Sequence, residues 1–153
     1  MKNILPLLFI LFFALNSFAQ SNQIIKKKFH GGKFNQQDST AGYAEAVLVD
    51  NTLYISGWIG RGTIAEQLQE IYTNLGNILK AYGATYQNVI KETLFTTDIE
   101  AVKNNNAVRK AFYRGDFPAA TWVQITRLFS ARPDAQIEVE LIAHLPKGVT
   151  KEK

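Results

Sequence analysis

Residues 46–57 read Ala46-Val47-Leu48-Val49-Asp50-Asn51-Thr52-Leu53-Tyr54-Ile55-Ser56-Gly57, and this stretch decides the fold. Two apolar, β-branched runs flank a short polar pair. Asp and Asn tolerate the positive φ of a tight turn, so the stretch reads as a β-hairpin ended by Gly57. Gly60-Arg61-Gly62 then makes a short loop, and the apolar period changes. Ile64, Leu68, Ile71, Leu75, Ile78 and Tyr82 follow at spacings of 4, 3, 4, 3 and 4. That is one apolar stripe along a helix. Thr63 and Glu66 supply a capping box at its start, and Gly83 an αL stop at its end.

Working outward, residues 89–96 read as a third strand. Asp98 caps a second helix over 99–113, ended by Gly115, with Val102, Val108, Ala111 and Phe112 turned inward. Pro118 precedes a strand over 121–127. After a loop carrying Pro133, Ile137-Glu138-Val139-Glu140-Leu141-Ile142 alternates apolar and acidic residues, which predicts a strand with one wet face. The order ββαβαββ implies an α+β domain of two layers, with helices on one face of a sheet. The other face is left open, and oligomerisation is the usual cover.

The chain has 153 residues and no cysteine, enough for one self-sufficient domain. Disulfides, thiolate catalysis and Cys-ligated metals are excluded. His30 and His144 leave little for a His-based metal site. The amino-terminal segment is a separate object. Lys2 precedes an apolar run over 4–15, broken by Pro6, and Ser17-Phe18-Ala19 follows as a small-x-small site. Residues 1–19 therefore read as a cleavable signal peptide. Twelve helical residues span about 18 Å, short of the ~30 Å hydrocarbon core, so no stable membrane anchor is expected. The mature protein would be secreted or periplasmic. Residues 20–40 read as a polar arm, 41–146 as the domain and 147–153 as a basic tail. Losing Lys2 lowers the net charge from +4 to +3. Lys26-Lys27-Lys28, with Lys147, Lys151 and Lys153, read as solvated tails, so no nucleic-acid partner is expected.

Motifs for phosphate loops, zinc proteases and serine hydrolases are absent. Glu138 and Glu140 share a strand face, where carboxylates either do acid–base work or meet solvent. Asn104-Asn105-Asn106 lies inside the second helix, although asparagine is a poor helix former; one of the three faces a pocket or all are surface. Trp58 and Trp122 flank strand ends as pocket walls or core fillers.

Several segments, taken in order, resemble the RidA/YjgF family of imine and enamine deaminases. They are Ala41-Gly42-Tyr43-Ala44-Glu45-Ala46-Val47, Leu53-Tyr54-Ile55-Ser56-Gly57, Asn74-Leu75, Gly83-Ala84, residues 89–95, Asp98, Asn106, Phe117-Pro118-Ala119 and residues 137–143. The resemblance covers about residues 36–146. It implies a chorismate-mutase-like fold and a homotrimer with a central barrel-like core and small-molecule clefts between subunits. It implies hydrolysis of 2-imino and enamine acids to a keto acid and ammonia, with no metal or organic cofactor. By the same resemblance Tyr43, Ser56, Gly57 and Asn106 bind substrate and Glu138 handles water, making Glu138 the catalytic residue.

One position departs. Relatives continue Pro-Ala-Arg, where this chain has Pro118-Ala119-Ala120. Ala120 thus stands where a carboxylate-binding arginine is expected. Trp58 and Trp122 would make the cleft more aromatic. Arg61 lies near the cleft rim. Arg127 lies about 23 Å from position 120 along an extended chain, too far to substitute, and Arg132 is further along. Two readings stand: a deaminase, with activity kept, altered or lost; or a non-catalytic small-molecule-binding or chaperone-like trimer. Nucleic-acid cleavage, claimed for some relatives, fits an exported protein poorly.

Overall fold

The computed structural model describes residues 24–29, 42–130 and 132–146. The expected signal peptide, most of the polar arm and the basic tail lie outside them.

The hairpin forms as β2 (Ala46–Val49) and β3 (Thr52–Ile59), with Ala46 opposite Ile55 and Val49 opposite Thr52. Asp50 takes the turn at φ 51°. Helix α1 (Ile64–Ala81) starts at the capping box. The Thr63 amide donates to Glu66 Oε2 at 2.8 Å, and the Glu66 amide donates to Thr63 Oγ1 at 3.4 Å. Gly83 follows at φ 69°. A 3-10 turn, Tyr86–Asn88, leads into β4 (Val89–Thr96), and the chain ends in β5 (Ala119–Gln124) and β6 (Ile137–His144).

Three features differ from the sequence reading. The strand expected over 121–127 runs from Ala119 to Gln124 as β5. Lys26–Phe29, read within the polar arm, forms strand β1 against β2. The second helix is two: α2 (Ile99–Asn104) and α3 (Ala107–Tyr113). Asn105 causes the break. Its Nδ2 donates to the Ala101 carbonyl at 2.9 Å, closing α2 with a side chain that competes with the helical ladder.

The sheet order is β1-β2-β3-β6-β4-β5. Every pairing is antiparallel except β4–β5, which is parallel. All strands but the edges β1 and β5 send buried residues to the helical face: Ala46, Leu53, Leu94, Val139 and Leu141. Leu68, Ile71, Leu75 and Leu79 of α1 cover them. The fully buried residues of α2–α3 are Val102, Arg109 and Tyr113, and of the other expected positions Val108 and Phe112 pack against the core from its margin. Ala111 is exposed, and Val108 and Phe112 are half-buried. Helical phase explains this, because 102, 109 and 113 lie on one stripe. A buried partner lets the arginine occupy it, as described below.

The sheet's other face carries cross-strand rows. One is Val47, Tyr54, Ile142 and Lys91; another is Ile59, Glu138, Phe95 and Val123. Tyr54 and Val123 are exposed, and no described element covers the rows.

Candidate functional site

The predicted residues fall into two groups. The first gathers at the far end of β3. Between Ile55 and Trp58 the β3–β6 register shifts: Ile55 faces Leu141, and Trp58 faces Val139. This bulge places Ser56 and Gly57 together opposite Glu140 and returns Trp58 to the helical side, where it packs on the core. Gly57 is required by close approach. A Cβ there would lie 1.9 Å from Glu138 Oε1 and 2.6 Å from its Cδ. The Glu138 carboxyl therefore lies over the glycine backbone.

A cavity of about 280 Å³ opens here, lined among others by Tyr43, Ser56, Gly57, Trp58, Arg61 and Arg132. Glu138 is not part of its lining; its carboxyl lies against Gly57, which is. The Ser56 hydroxyl donates to the Ala44 carbonyl at 2.7 Å, which fixes the hydroxyl oxygen in place with a lone pair to spare. Arg132 Nη2 donates to the Ile59 carbonyl at 3.2 Å, and Arg61 Nε lies 3.8 Å from Glu70 Oε1. Loss of hydration raises the pKa of Glu138 above 4.5, and repulsion from Glu140 adds to the rise. The strand pair thus serves to keep a proton on Glu138 to higher pH.

The second group, Asn106, Ala120 and Trp122, does not line this cavity. Three strand steps separate β3 from β5, or about 14 Å at the usual spacing. Asn106 stands at the junction of α2 and α3. Its Oδ1 is the one buried side-chain oxygen or nitrogen without a partner among the described residues. Ala120 pairs with Glu92 across the parallel strands, and Trp122 pairs with Leu94. Trp122 turns inward, and its indole nitrogen donates to Glu92 Oε1 at 3.2 Å.

That contact belongs to a network the sequence reading missed. Glu92 is fully buried. Its Oε1 also accepts from Arg109 Nε at 2.7 Å, and its Oε2 accepts from the hydroxyls of Tyr72 at 3.0 Å and Tyr113 at 2.8 Å. Four donors satisfy one carboxylate, which makes a buried charge tolerable. Burial and the carboxylate's charge drive the pKa values of Tyr72 and Tyr113 well up, so both phenols stay protonated and donate. The Arg109 guanidinium lies among the rings of Tyr113, Phe117 and Trp122, its carbon 5.0, 5.6 and 5.5 Å from their centres. The available signal was alternation: Glu92 shares strand parity with Leu94 and Thr96, and Arg109 shares a helical stripe with Val102 and Tyr113.

Comparison with known proteins gives a consistent picture. A family model described as endoribonuclease L-PSP matches residues 33–145. The 2-iminobutanoate/2-iminopropanoate deaminase of Bos taurus is 37% identical over 110 residues, covering 66% of this chain and 78% of its own. A RutC family protein, UK114, of Drosophila melanogaster is 35% identical over 118 residues, covering 71% and 83%. A crystal structure of a YjgF/YER057c/UK114 family member from Mycobacterium tuberculosis superposes with a TM-score of 0.71 at 24% identity, covering 79% of this chain and all of that one.

Proposed function

The chain belongs to the RidA/YjgF family, and from that premise we propose that it hydrolyses 2-imino acids to 2-keto acids and ammonia. One observation carries the reading: the Glu138 carboxyl lies over Gly57, beside Ser56 and the Tyr43 cavity, with its pKa raised. The carbon of a protonated C=N bond is already electrophilic. Water adds through oxygen to C2 and sheds a proton to a base. The carbon–nitrogen bond then breaks: nitrogen takes back that proton and leaves as ammonia, while the C2 hydroxyl passes its own proton to the base and C2 becomes a carbonyl. A carboxyl group whose pKa is moved toward neutrality can both take and return the proton. Ser56, with its hydroxyl directed by the Ala44 carbonyl, is placed to orient the water.

We further propose a homotrimer. The uncovered rows around Tyr54, Ile142, Phe95 and Val123 favour an assembly through that face. Association would also set the β5 edge of one subunit against the Tyr43 cavity of the next, joining two half-sites that one chain keeps apart. Light scattering should give three times the mature mass, and a monodisperse monomer would refute the assembly. The site of action we propose is the periplasm or the exterior. Sequencing of the mature protein should begin at Gln20, and retention of residue 1 would refute export.

The activity is tested by generating 2-iminopropanoate with an amino-acid oxidase and trapping it with semicarbazide. Purified protein should reduce trapping in proportion to its concentration. Undiminished trapping would favour the second reading, a trimer that binds without turnover, toward which Ala120 points.

A further inference from the structure

We propose that Arg109, standing on α3 rather than on β5, is the anion-binding residue of this chain, and that its ligand class is the carboxylate of a short 2-imino acid. The inference rests on the deaminase reading for the second half of that statement only.

The geometry starts from Glu92. Its carboxylate takes the Nε–H of Arg109 and leaves the two terminal amino groups of the guanidinium unused. Neither has a hydrogen-bond partner among the described residues. Neither is sealed from solvent, because Asn106 Oδ1 is the one fully buried, unpartnered side-chain polar atom in that set. The side chain as a whole is only 9% exposed. The cation is therefore held from behind by a carboxylate and flanked by three rings, and its terminal amino groups keep a small exposure.

This is an unusual use of an arginine. A guanidinium that served only to neutralise Glu92 would engage it through two nitrogens, which is the stronger arrangement. Here the single Nε contact leaves the end-on fork unused by Glu92, with two N–H groups in the geometry that matches the two oxygens of a carboxylate. The rings exclude water around the fork and stiffen its plane, which strengthens an ionic hydrogen bond made there.

The neighbours fit the same ligand. Ala120 lies next to Glu92 in the β4–β5 register, so it adjoins the guanidinium's own partner. A methyl group there leaves space, whereas a second arginine would bring like charge against the first. Asn106 lies three residues before Arg109, on the same helical face, but its Oδ1 is sealed from solvent and takes no part in the proposed contact. A short 2-imino acid supplies the carboxylate that such a fork takes.

Calorimetric titration with 2-oxobutanoate and with its neutral amide tests the fork. Unmodified protein should bind the acid at least about 30-fold more tightly than the amide, the factor expected when a buried ionic partner is lost. Arg109→Lys keeps a cation for Glu92 but removes the fork. Glu92→Gln/Arg109→Gln removes both charges without leaving either unpaired. Each should lose about 30-fold or more in affinity for the acid and little for the amide. In the imine assay, both should raise KM more than they lower kcat. Equal affinity of unmodified protein for acid and amide would overturn the proposal, as would a folded double variant that binds the acid normally. The two readings separate cleanly. Arg109-dependent acid binding without imine hydrolysis would sink the deaminase reading and keep the fork. Imine hydrolysis with an unchanged KM in the double variant would sink the fork and keep the deaminase.

Discussion

Replacing Arg109 alone by glutamine should be among the most damaging single changes in the domain. Glu92 is fully buried, and Arg109 Nε, at 2.7 Å, is its only charged donor among the described residues. The hydroxyls of Tyr72 and Tyr113 and the Trp122 indole would remain, and all three are neutral. Leaving a buried carboxylate with neutral donors costs about 3–5 kcal/mol. At roughly 4 °C per kcal/mol for a domain of this size, the melting temperature should fall by about 12–20 °C. Glu92→Gln alone should cost a similar amount, because it strands the cation. The double variant carries no charge, and the two phenols can turn to accept from an amide. It should therefore recover more than half of either loss. Circular dichroism melts of the four proteins give the coupling energy directly. A single variant that loses less than about 1 kcal/mol, or a double variant whose loss equals the sum of the singles, would refute the account of a closed ionic network.

Other outcomes follow from the same geometry. Glu138→Gln should slow imine hydrolysis by about 10²–10⁴-fold, the usual contribution of a positioned proton-transfer group. Because desolvation and Glu140 raise the folded pKa of Glu138 above 4.5, its ionisation destabilises the fold as pH rises through that raised value. Glu138→Gln should thus stabilise the protein at neutral pH and lose that advantage below pH 4.5, as pH-dependent melts would reveal; a constant difference would contradict the shift. Gly57→Ala would set a methyl group 1.9 Å from Glu138 Oε1, so the carboxyl must swing away. Turnover should fall while the melting temperature changes modestly, and an unaltered rate would detach Glu138 from the chemistry. Gly60→Ala meets backbone instead, 2.4 Å from the Gln67 Cα, and should destabilise by about 1–3 kcal/mol, measurable in urea.

Local signals made most of the architecture legible. The Asp50–Asn51 turn, the Thr63–Glu66 box, the α1 stripe and the alternation of β6 each lie within a few residues of their cause. What escaped depended on partners far along the chain. β1 is three lysines and a phenylalanine, and only its pairing with β2 makes it a strand. The site showed the same division. Tyr43, Ser56 and Gly57 come together at the bulge, and Glu138 adjoins them. Arg109 reads as a surface residue by type, and its inward setting requires Glu92, seventeen positions earlier, with Tyr72 and Trp122 from two further elements. Long-range charge pairing leaves no local pattern.

The outermost strand on the β2 side has a consequence for handling the protein. β1 presents Lys26, Lys27 and Lys28 along the rim of the sheet, and behind it lies Ala46-Val47-Leu48-Val49. A row of ammonium groups discourages another chain from docking its backbone there, through mutual repulsion. Trimming by a protease beyond residue 29 would remove that guard and bare an aliphatic rim, and the shortened product would be prone to ribbon-like aggregation.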